Sequence, residues 1–229
     1  MSGEFGIGVR MTPHEAGERP TVDSSELPRR RAAVASLGAQ VRELVDAVVS
    51  TEVETEELER CAAQVGALTE ALRSRRRERN VPASVDDLPG GIRMYNPVVG
   101  AGSPLAPPLE VELGSGTAAA RCTLGLAYEG LPTYGHGGVS ALLADQVLGG
   151  AVAASGNPGM TTELTLRYRR PVPLRTPLLV SGETVHMSGR WVQATGLIAA
   201  ADRPDRPLVE AEARFACLNP EQARRLFPS

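Results

Sequence analysis

Residues 134–154 carry the strongest structural signal in this chain and read Tyr134-Gly-His-Gly-Gly-Val-Ser-Ala-Leu-Leu-Ala-Asp-Gln-Val-Leu-Gly-Gly-Ala-Val-Ala-Ala154. From Gly137 onward this stretch is apolar or glycine except for Ser140, Asp145 and Gln146, which predicts a helix that is apolar on nearly all sides and therefore buried. No Lys or Arg lies three or four positions from Asp145, so no neighbour on the helix neutralises it. A carboxylate in such a helix is costly, so Asp145 either faces a gap open to solvent or takes part in catalysis.

Strand patterns flank this helix on both sides. Before it, residues 109–113 alternate apolar and charged side chains, and 117–128 continue after a Gly-Ser-Gly turn, which predicts a hairpin. Four further strands are predicted after the helix, at 160–170, 178–187, 190–201 and 208–217. Consecutive hairpins imply a mainly antiparallel sheet, and a single apolar helix must be wrapped by that sheet to bury its faces. The order therefore predicts an α+β chain of the hotdog type.

The N-terminal third of the chain has a different character. Residues 1–25 are rich in Gly, Pro, Ser, Thr and Glu and are predicted to be disordered. Within 26–80, apolar residues at three- and four-residue spacing predict a hairpin of two amphipathic helices. The apolar stripes comprise Val34, Leu37, Val41, Leu44, Val45 and Val48 in the first helix, and Leu58, Cys61, Ala62, Val65, Leu68 and Leu72 in the second. These stripes must pack on each other, on the sheet or on another subunit, so we expect an antiparallel hairpin docked on one of the latter two.

The remaining boundaries follow from composition. Residues 81–108 are rich in Pro and Gly and are predicted to form an extended linker. The hotdog domain is predicted at 109–218, and a C-terminal tail at 219–229.

Composition narrows the classes of function. The chain has 229 residues, 42% of them hydrophobic, and a formal net charge of -3, so a globular fold without a nucleic-acid-binding surface is expected. Five arginines between residues 73 and 79 suit a helix C-terminus; a nucleic-acid contact is the alternative. Residues 137–154 could span a membrane by length, but Asp145 and the glycines favour a core helix and no membrane partner.

Cysteine and histidine usage indicates the compartment and the type of chemistry. The three cysteines are widely spaced, and residues 1–30 hold no apolar segment of a secretory signal, so a cytoplasmic location is expected. The three histidines form no ligand cluster, and neither a metal nor another cofactor is expected.

Two motifs and the acid between them are more specific. The chain reads Ala127-Tyr-Glu-Gly-Leu-Pro-Thr-Tyr-Gly-His-Gly-Gly138, then Asp145, then Met160-Thr-Thr-Glu-Leu-Thr-Leu-Arg-Tyr-Arg-Arg-Pro-Val-Pro173. Over roughly residues 95–218 this set resembles the hotdog-fold acyl-CoA thioesterases, and most of all the PaaI-like branch of the 4-hydroxybenzoyl-CoA thioesterase superfamily. The resemblance implies acyl-CoA as substrate and a homodimer or a dimer of dimers with sites built between subunits.

The spacing of His136 and Asp145 sets a geometric condition on the site. Nine residues turn a helix by about 900°, so the two side chains project from opposite sides, about 13 Å apart along the axis. One thioester carbon cannot contact both groups of a single chain. Either one of them is not catalytic, or the site is shared across a twofold axis, with Gly137 from one subunit and Asp145 from the other.

The glycines around His136 place bare backbone N–H groups at a helix N-terminus, which suits an oxyanion hole for a thioester carbonyl. A glycine-rich turn with a structural histidine is the alternative. The resemblance assigns the donor to the Gly137 N–H, with His136 ordering the turn, and we place Gly138 among the substrate-binding residues. Asp145 would act as general base on water or as nucleophile, and the sequence leaves that choice open.

Further candidates lie on the strand after the helix. Thr161 matches a Ser/Thr position that assists the carboxylate in related thioesterases, and a threonine kept for strand propensity is the alternative. In a regular strand it shares one face with Glu163, Thr165, Arg167 and Arg169. We consider Arg167, Arg169 and Arg170 as contacts for the coenzyme A phosphates or as solvated strand ends.

One position departs from the family pattern. Some relatives carry an asparagine six residues before the histidine, where this chain has Gly130. Glu129 is the candidate replacement for that polar contact.

Three functions are compatible with this sequence. The first is acyl-CoA thioester hydrolysis. The second is a non-catalytic acyl-CoA-binding or regulatory module that uses the N-terminal helices as partner contact, against which the retained Asp145 argues, since a binder need not keep a buried charge. The third, a hotdog dehydratase, requires an Asp/His pair arranged for hydration, which the glycine turn around His136 does not favour.

Overall fold

The computed structural model describes residues 23, 25–78, 81–87, 90–107, 109–217, 219 and 221. Nearly all of the predicted disordered segment 1–25 and of the predicted tail 219–229 lies outside these residues. The elements in chain order are α1 (Leu27–Ser50), α2 (Thr55–Arg73), β1 (Glu110–Gly114), β2 (Thr117–Thr123), a short 3-10 helix (Leu126–Tyr128), α3 (Gly137–Ala154), β3 (Gly159–Tyr168), β4 (Pro177–Ser188), β5 (Trp191–Ala200) and β6 (Pro207–Cys217).

The six strands form one antiparallel sheet in the order β1-β2-β4-β5-β6-β3, with α3 packed on one face. This confirms the predicted hotdog architecture. The second predicted strand is too long, because β2 ends at Thr123. The chain then turns into the 3-10 helix, where Tyr128 N–H donates to the Gly125 carbonyl and Leu126 N–H donates to Asp46 of α1.

The centre of α3 lies directly against the middle of the sheet. Leu143, Val147, Leu148 and Val152 of the helix are fully buried, and the side chains of β2, β4, β5 and β6 surround them. Gly182 and Gly196 pair across β4 and β5 at this crossing, and a Cβ at Gly182 would lie 2.8 Å from Leu148 Cδ2. Glycine is therefore needed for the helix to approach the sheet this closely.

The prediction that α3 is buried on nearly all sides is wrong for the single chain. Leu142 is 37% exposed and Asp145 is half-buried, so one side of the helix is left uncovered by the sheet. The helix is long and apolar enough to cross a membrane by composition, but its buried residues pack on the sheet.

Helix α1 packs on the irregular segment that follows helix α2. Gly38 of α1 is buried, and a Cβ there would lie 2.7 Å from the Ala101 carbonyl oxygen. Arg42 donates to the carbonyls of Ala101 and Ser103 at 3.1 and 2.7 Å. The segment expected as a linker is irregular but packed: it contributes Ala83, Val85 and Met94 to a small core with Val34 and Ala35 of α1.

The structure contains the two predicted N-terminal helices. Residues at the N-terminal end of α1 and residues after the C-terminal end of α2 line one cleft, so the chain reverses direction between α1 and α2. Within the single chain their apolar stripes are not buried, so of the two expected docking surfaces the hotdog core does not cover them, and docking on another subunit stays a prediction. On α1 the docked face is the one with Gly38, Arg42 and Asp46, which leaves Leu37, Leu44, Val45 and Val48 exposed. On α2 no residue is buried.

Candidate active site

The turn before α3 is fixed by backbone hydrogen bonds on both sides. Gly135 N–H donates to the Val172 carbonyl and His136 N–H donates to the Tyr128 carbonyl, each at 2.8 Å. His136 has an extended backbone at φ -63° and ψ 136° and is the N-cap of α3. The helix therefore begins at Gly137 with its first N–H groups directed out of the turn.

The side chain of His136 selects which of these N–H groups stays available. Its Nδ1 accepts from Gly138 N–H at 3.0 Å, while the N–H of Val139 bonds to the His136 carbonyl. The N–H of Gly137 has no acceptor within the described part of the chain. Gly138 was predicted to bind substrate, but its N–H donates to His136. Of the N–H groups of Gly137, Gly138 and Val139, that of Gly137 is therefore the one that can bind an oxyanion at the positive end of the helix.

Tyr168 holds the same residue from the opposite side. Its hydroxyl donates to the Gly137 carbonyl at 2.8 Å, and a Cβ at Gly137 would lie 3.3 Å from that hydroxyl oxygen. The end of β3 is in this way tied to the start of α3. No role for Tyr168 is predicted from the sequence, although its place in the Tyr-x-Arg-Pro strand end is a signal for one.

An open cleft of about 610 Å³ lies in front of this helix end. Its lining includes Leu131, Tyr134, His136, Gly137, Tyr168, Arg169, Arg170 and Val172. Asp145 and Thr161 do not line it. The backbone donor and the carboxylate therefore do not meet in one chain, as the nine-residue spacing predicted.

Asp145 has a specific partner on the edge strand. Its Oδ1 accepts from the Thr161 hydroxyl at 2.7 Å, and Oδ2 has no hydrogen bond to any described residue. The carboxylate is half-buried, so water or a substrate reaches the free oxygen. The pair joins α3 to β3, which is the outermost strand of the sheet.

A β-bulge produces this contact. Thr161 pairs with Phe215 and Glu163 pairs with Arg214, so Thr162 is an extra residue in β3. Without it, strict alternation would place Thr161 on the face opposite to Leu164, which packs in the core. The prediction that Thr161 shares a face with Glu163, Thr165, Arg167 and Arg169 is therefore wrong: the bulge turns Thr161 toward Asp145.

The three candidate arginines do not act as one group. Arg167 lies on the outer face of the sheet and pairs with Glu212, which raises the pKa of its guanidinium, so it is away from the cleft. Arg169 donates twice to Glu210, at 3.0 and 2.8 Å, and Arg170 donates to the Pro207 carbonyl at 2.9 Å. Only Arg169 and Arg170 line the cleft, where they are placed to meet an anionic group.

Steric crowding explains why this chain has glycine at position 130, where some relatives carry asparagine. A Cβ at Gly130 would lie 2.8 Å from the His136 Cα, so an asparagine there does not fit this turn. Glu129 does not replace it, because its carboxylate accepts from Thr133 N–H at 2.7 Å and supports a residue with φ 72°. The described residues contain no group of His, Cys, Asp and Glu arranged to hold a metal.

Comparison with known proteins gives concordant matches. A family model described as the thioesterase superfamily matches residues 134–204. Mouse acyl-coenzyme A thioesterase THEM4 is 33% identical over 98 residues, which cover 43% of this chain and 42% of that protein. The rat protein of the same name is 30% identical over the same shares. The chain thus spans less than half the length of these curated relatives.

A solved structure matches over a greater part of the chain. The crystal structure of protein RHA08564, a thioesterase superfamily protein, is 35% identical and superposes with a TM-score of 0.70. The match covers 80% of this chain and 94% of that one.

Proposed function

The chain belongs to the thioesterase superfamily, and we propose that it hydrolyses acyl-CoA thioesters to a free acid and coenzyme A at sites shared by two subunits. The observation that carries the proposal is the division of the chemistry along α3. The unoccupied Gly137 N–H lies at the start of the helix in an open cleft, and the Asp145–Thr161 pair lies nine residues further on, outside that cleft.

The Gly137 N–H is suited to bind the thioester carbonyl oxygen. In the tetrahedral intermediate this oxygen becomes an anion, which a fixed N–H at the positive end of a helix stabilises more than it stabilises the neutral carbonyl. His136 and Tyr168 keep the donor in place, because they occupy the neighbouring N–H and the carbonyl of the same residue.

Asp145 supplies the second part of the reaction. As a general base, its free oxygen takes a proton from water while the water oxygen attacks the thioester carbon. The intermediate then breaks its C–S bond, and the coenzyme A thiolate leaves and is protonated. As a nucleophile, the carboxylate attacks the carbon itself and expels the coenzyme A thiolate, which takes a proton from solvent; water then hydrolyses the mixed anhydride to the free acid and restores the carboxylate. Both routes need Asp145 within reach of the carbonyl held by a Gly137 N–H.

A twofold pairing through β3 supports such a site. This ten-residue strand bonds to β6 on one side and forms the edge of the sheet on the other, and an unpaired edge is a template for a second strand. Thr161 lies on this edge strand and bonds to Asp145 behind it. In an isologous dimer built on this edge, a contact between the second copy's Gly137 and this carboxylate would be repeated in reverse, so the dimer would hold two equivalent sites. We propose a homodimer, or a dimer of such dimers, in the cytoplasm.

The decisive experiment replaces the carboxylate. Asp145→Asn keeps the shape of the side chain and the Thr161 contact but removes the base, so turnover of an acyl-CoA panel should fall at least about 100-fold. Release of coenzyme A, followed with a thiol reagent, measures this rate. Glu112→Gln, an exposed carboxylate on β1, is the matched control and should retain full turnover.

Two results would contradict the proposal. Turnover by Asp145→Asn within a few-fold of the parent would remove the carboxylate from the mechanism. Tight acyl-CoA binding by the parent chain with no turnover of any acyl group would favour the non-catalytic binding module.

A further inference from the structure

The second N-terminal helix carries an apolar seam that none of the described residues of the single chain covers. Leu58, Cys61, Val65, Leu68 and Leu72 follow one another at spacings of three and four residues, and all five are exposed. The exposed fractions of the four large aliphatic side chains run from 39% for Val65 to 63% for Leu68. This alternation of three and four is the pattern of a coiled-coil seam, narrower than the stripe of a helix that packs on a sheet.

Such a helix needs a partner for its stability. Most of the stability of a helix in a protein comes from the packing of its apolar face, and no residue of α2 is buried. The first helix does not supply the cover, since its own Leu37, Leu44 and Val48 are exposed. Ion pairs within α2, Arg60 with Glu57 and Arg73 with Glu70, are exposed and contribute little.

Most charges on and around α2 are separated by sign between its two ends, with Arg60 at the acidic end and Glu70 and Glu78 at the basic end as the exceptions. Glu52, Glu54, Glu56, Glu57 and Glu59 lie at the N-terminal end, whereas Arg73, Arg75, Arg76 and Arg77 lie at and just beyond the C-terminal end. A parallel pair of these helices would place acid beside acid and base beside base. An antiparallel pair places each acidic end beside a basic end, so the surface is complementary to itself under a twofold rotation.

We propose that α2 forms an antiparallel coiled coil with α2 of a second copy of this chain. The register that brings Glu56 and Glu57 beside Arg77 and Arg76 of the second copy also layers Val65 against its Leu68 and Cys61 against its Leu72. A second register, shifted by one heptad, is also compatible with the seam. It places Leu72 opposite Glu54 of the second copy and moves the acidic end of one helix beside Glu70 of the other. Packing does not separate the two registers, because the first leaves Leu58 opposite Arg75 just as the second leaves Leu72 opposite Glu54. Charge separates them and favours the first register. This contact is separate from the active site and from β3.

The native cysteine at position 61 allows a direct test of partner, orientation and register. In the full-length Leu72→Cys variant, the new thiol faces Cys61 of the second copy, and mild oxidation should convert most chains to covalent dimers on a non-reducing gel. The parent chain should form few, because its two Cys61 side chains lie far apart in an antiparallel pair. Glu70→Cys, on the opposite side of α2, is the matched control and should form few as well.

Two further experiments distinguish cross-linking through the seam from cross-linking by random encounter. Leu72→Cys combined with Cys61→Ser should not cross-link alone and should cross-link when mixed with parent chain. Adding Leu68→Glu to Leu72→Cys should abolish the cross-link, whereas Ala63→Glu, on the outer side of the helix, should leave it intact.

The other outcomes overturn the proposal. If Leu72→Cys stays monomeric on the gel, α2 closes on its own chain or binds a different protein. Rapid cross-linking of the parent chain through Cys61 means a parallel pair. Equal cross-linking of Leu72→Cys and Glu70→Cys means unspecific encounter.

Discussion

At the scale of single residues, the site depends on how the neighbours of Gly137 use their hydrogen-bonding groups. His136 takes the N–H of Gly138, and Tyr168 takes the carbonyl of Gly137. What remains is one N–H at a helix end, without a side chain in front of it. The same logic applies to Asp145, where Thr161 occupies one oxygen and leaves the other. In both cases a neighbour fixes a polar group and leaves one atom without a hydrogen bond to any described residue, and the proposed mechanism uses that atom.

Tyr168→Phe tests whether fixing the Gly137 carbonyl contributes to turnover. The change removes a hydrogen bond worth about 1 kcal/mol, so kcat should fall about fivefold, with KM nearly unchanged because the ring still lines the cleft. Tyr134→Phe is the control: Tyr134 lines the same cleft, and its hydroxyl has no bonded partner among the described residues. Equal effects of the two changes would mean that the Tyr168 hydroxyl does not position the donor.

At the scale of elements, small local features decide how helix and strands meet. One extra residue in β3 turns Thr161 toward Asp145. One pair of glycines in β4 and β5 lets α3 lie close to the sheet. One glycine in α1 lets that helix lie against residues 101–102. Each feature involves a backbone contact that a regular strand or helix with ordinary side chains would prevent.

Gly196→Ala tests how much stability depends on the close packing of α3 on the glycine pair of β4 and β5. An added Cβ would lie 2.2 Å from the Ser181 carbonyl oxygen and 3.0 Å from Leu148 Cδ2, so strands or helix must move. Overpacking of this kind lowers the free energy of unfolding by about 1–3 kcal/mol, measurable by urea denaturation. Gly66→Ala in α2 meets no atom within 4 Å and should instead be neutral or stabilising by up to about 1 kcal/mol. A neutral Gly196→Ala would show that the sheet adjusts freely there.

At the scale of the whole molecule, three features of the single chain have no counterpart among the described residues. The edge of β3 pairs with no described strand, Gly137 and Asp145 lie apart on α3, and the seam of α2 is exposed. A second subunit at β3 would address the first two together. The third lies on the N-terminal helices, outside the sheet that carries the site.

Subunit mixing tests the shared site. Asp145→Asn and Gly137→Pro should each be inactive, but an equal mixture that exchanges subunits should recover about a quarter of parental activity. Half of the dimers are then mixed, and each has one intact site of two. Proline suits this position, because Gly137 is the first helical residue and His136 before it is extended. Activity that stays absent after verified exchange would place both groups in one subunit's site.

The apolar helix 137–154 and the strands around it could be predicted from the sequence, because hydrophobic period acts locally. The opposite directions of His136 and Asp145 could be predicted as well, since helix geometry fixes the angle between them. The contact of Thr161 with Asp145, the separation of Arg167 from the cleft and the docking of α1 through Gly38 become visible only in the folded chain. These depend on a bulge, on cross-strand partners and on backbone approach between distant segments, for which the chain order carries no periodic signal.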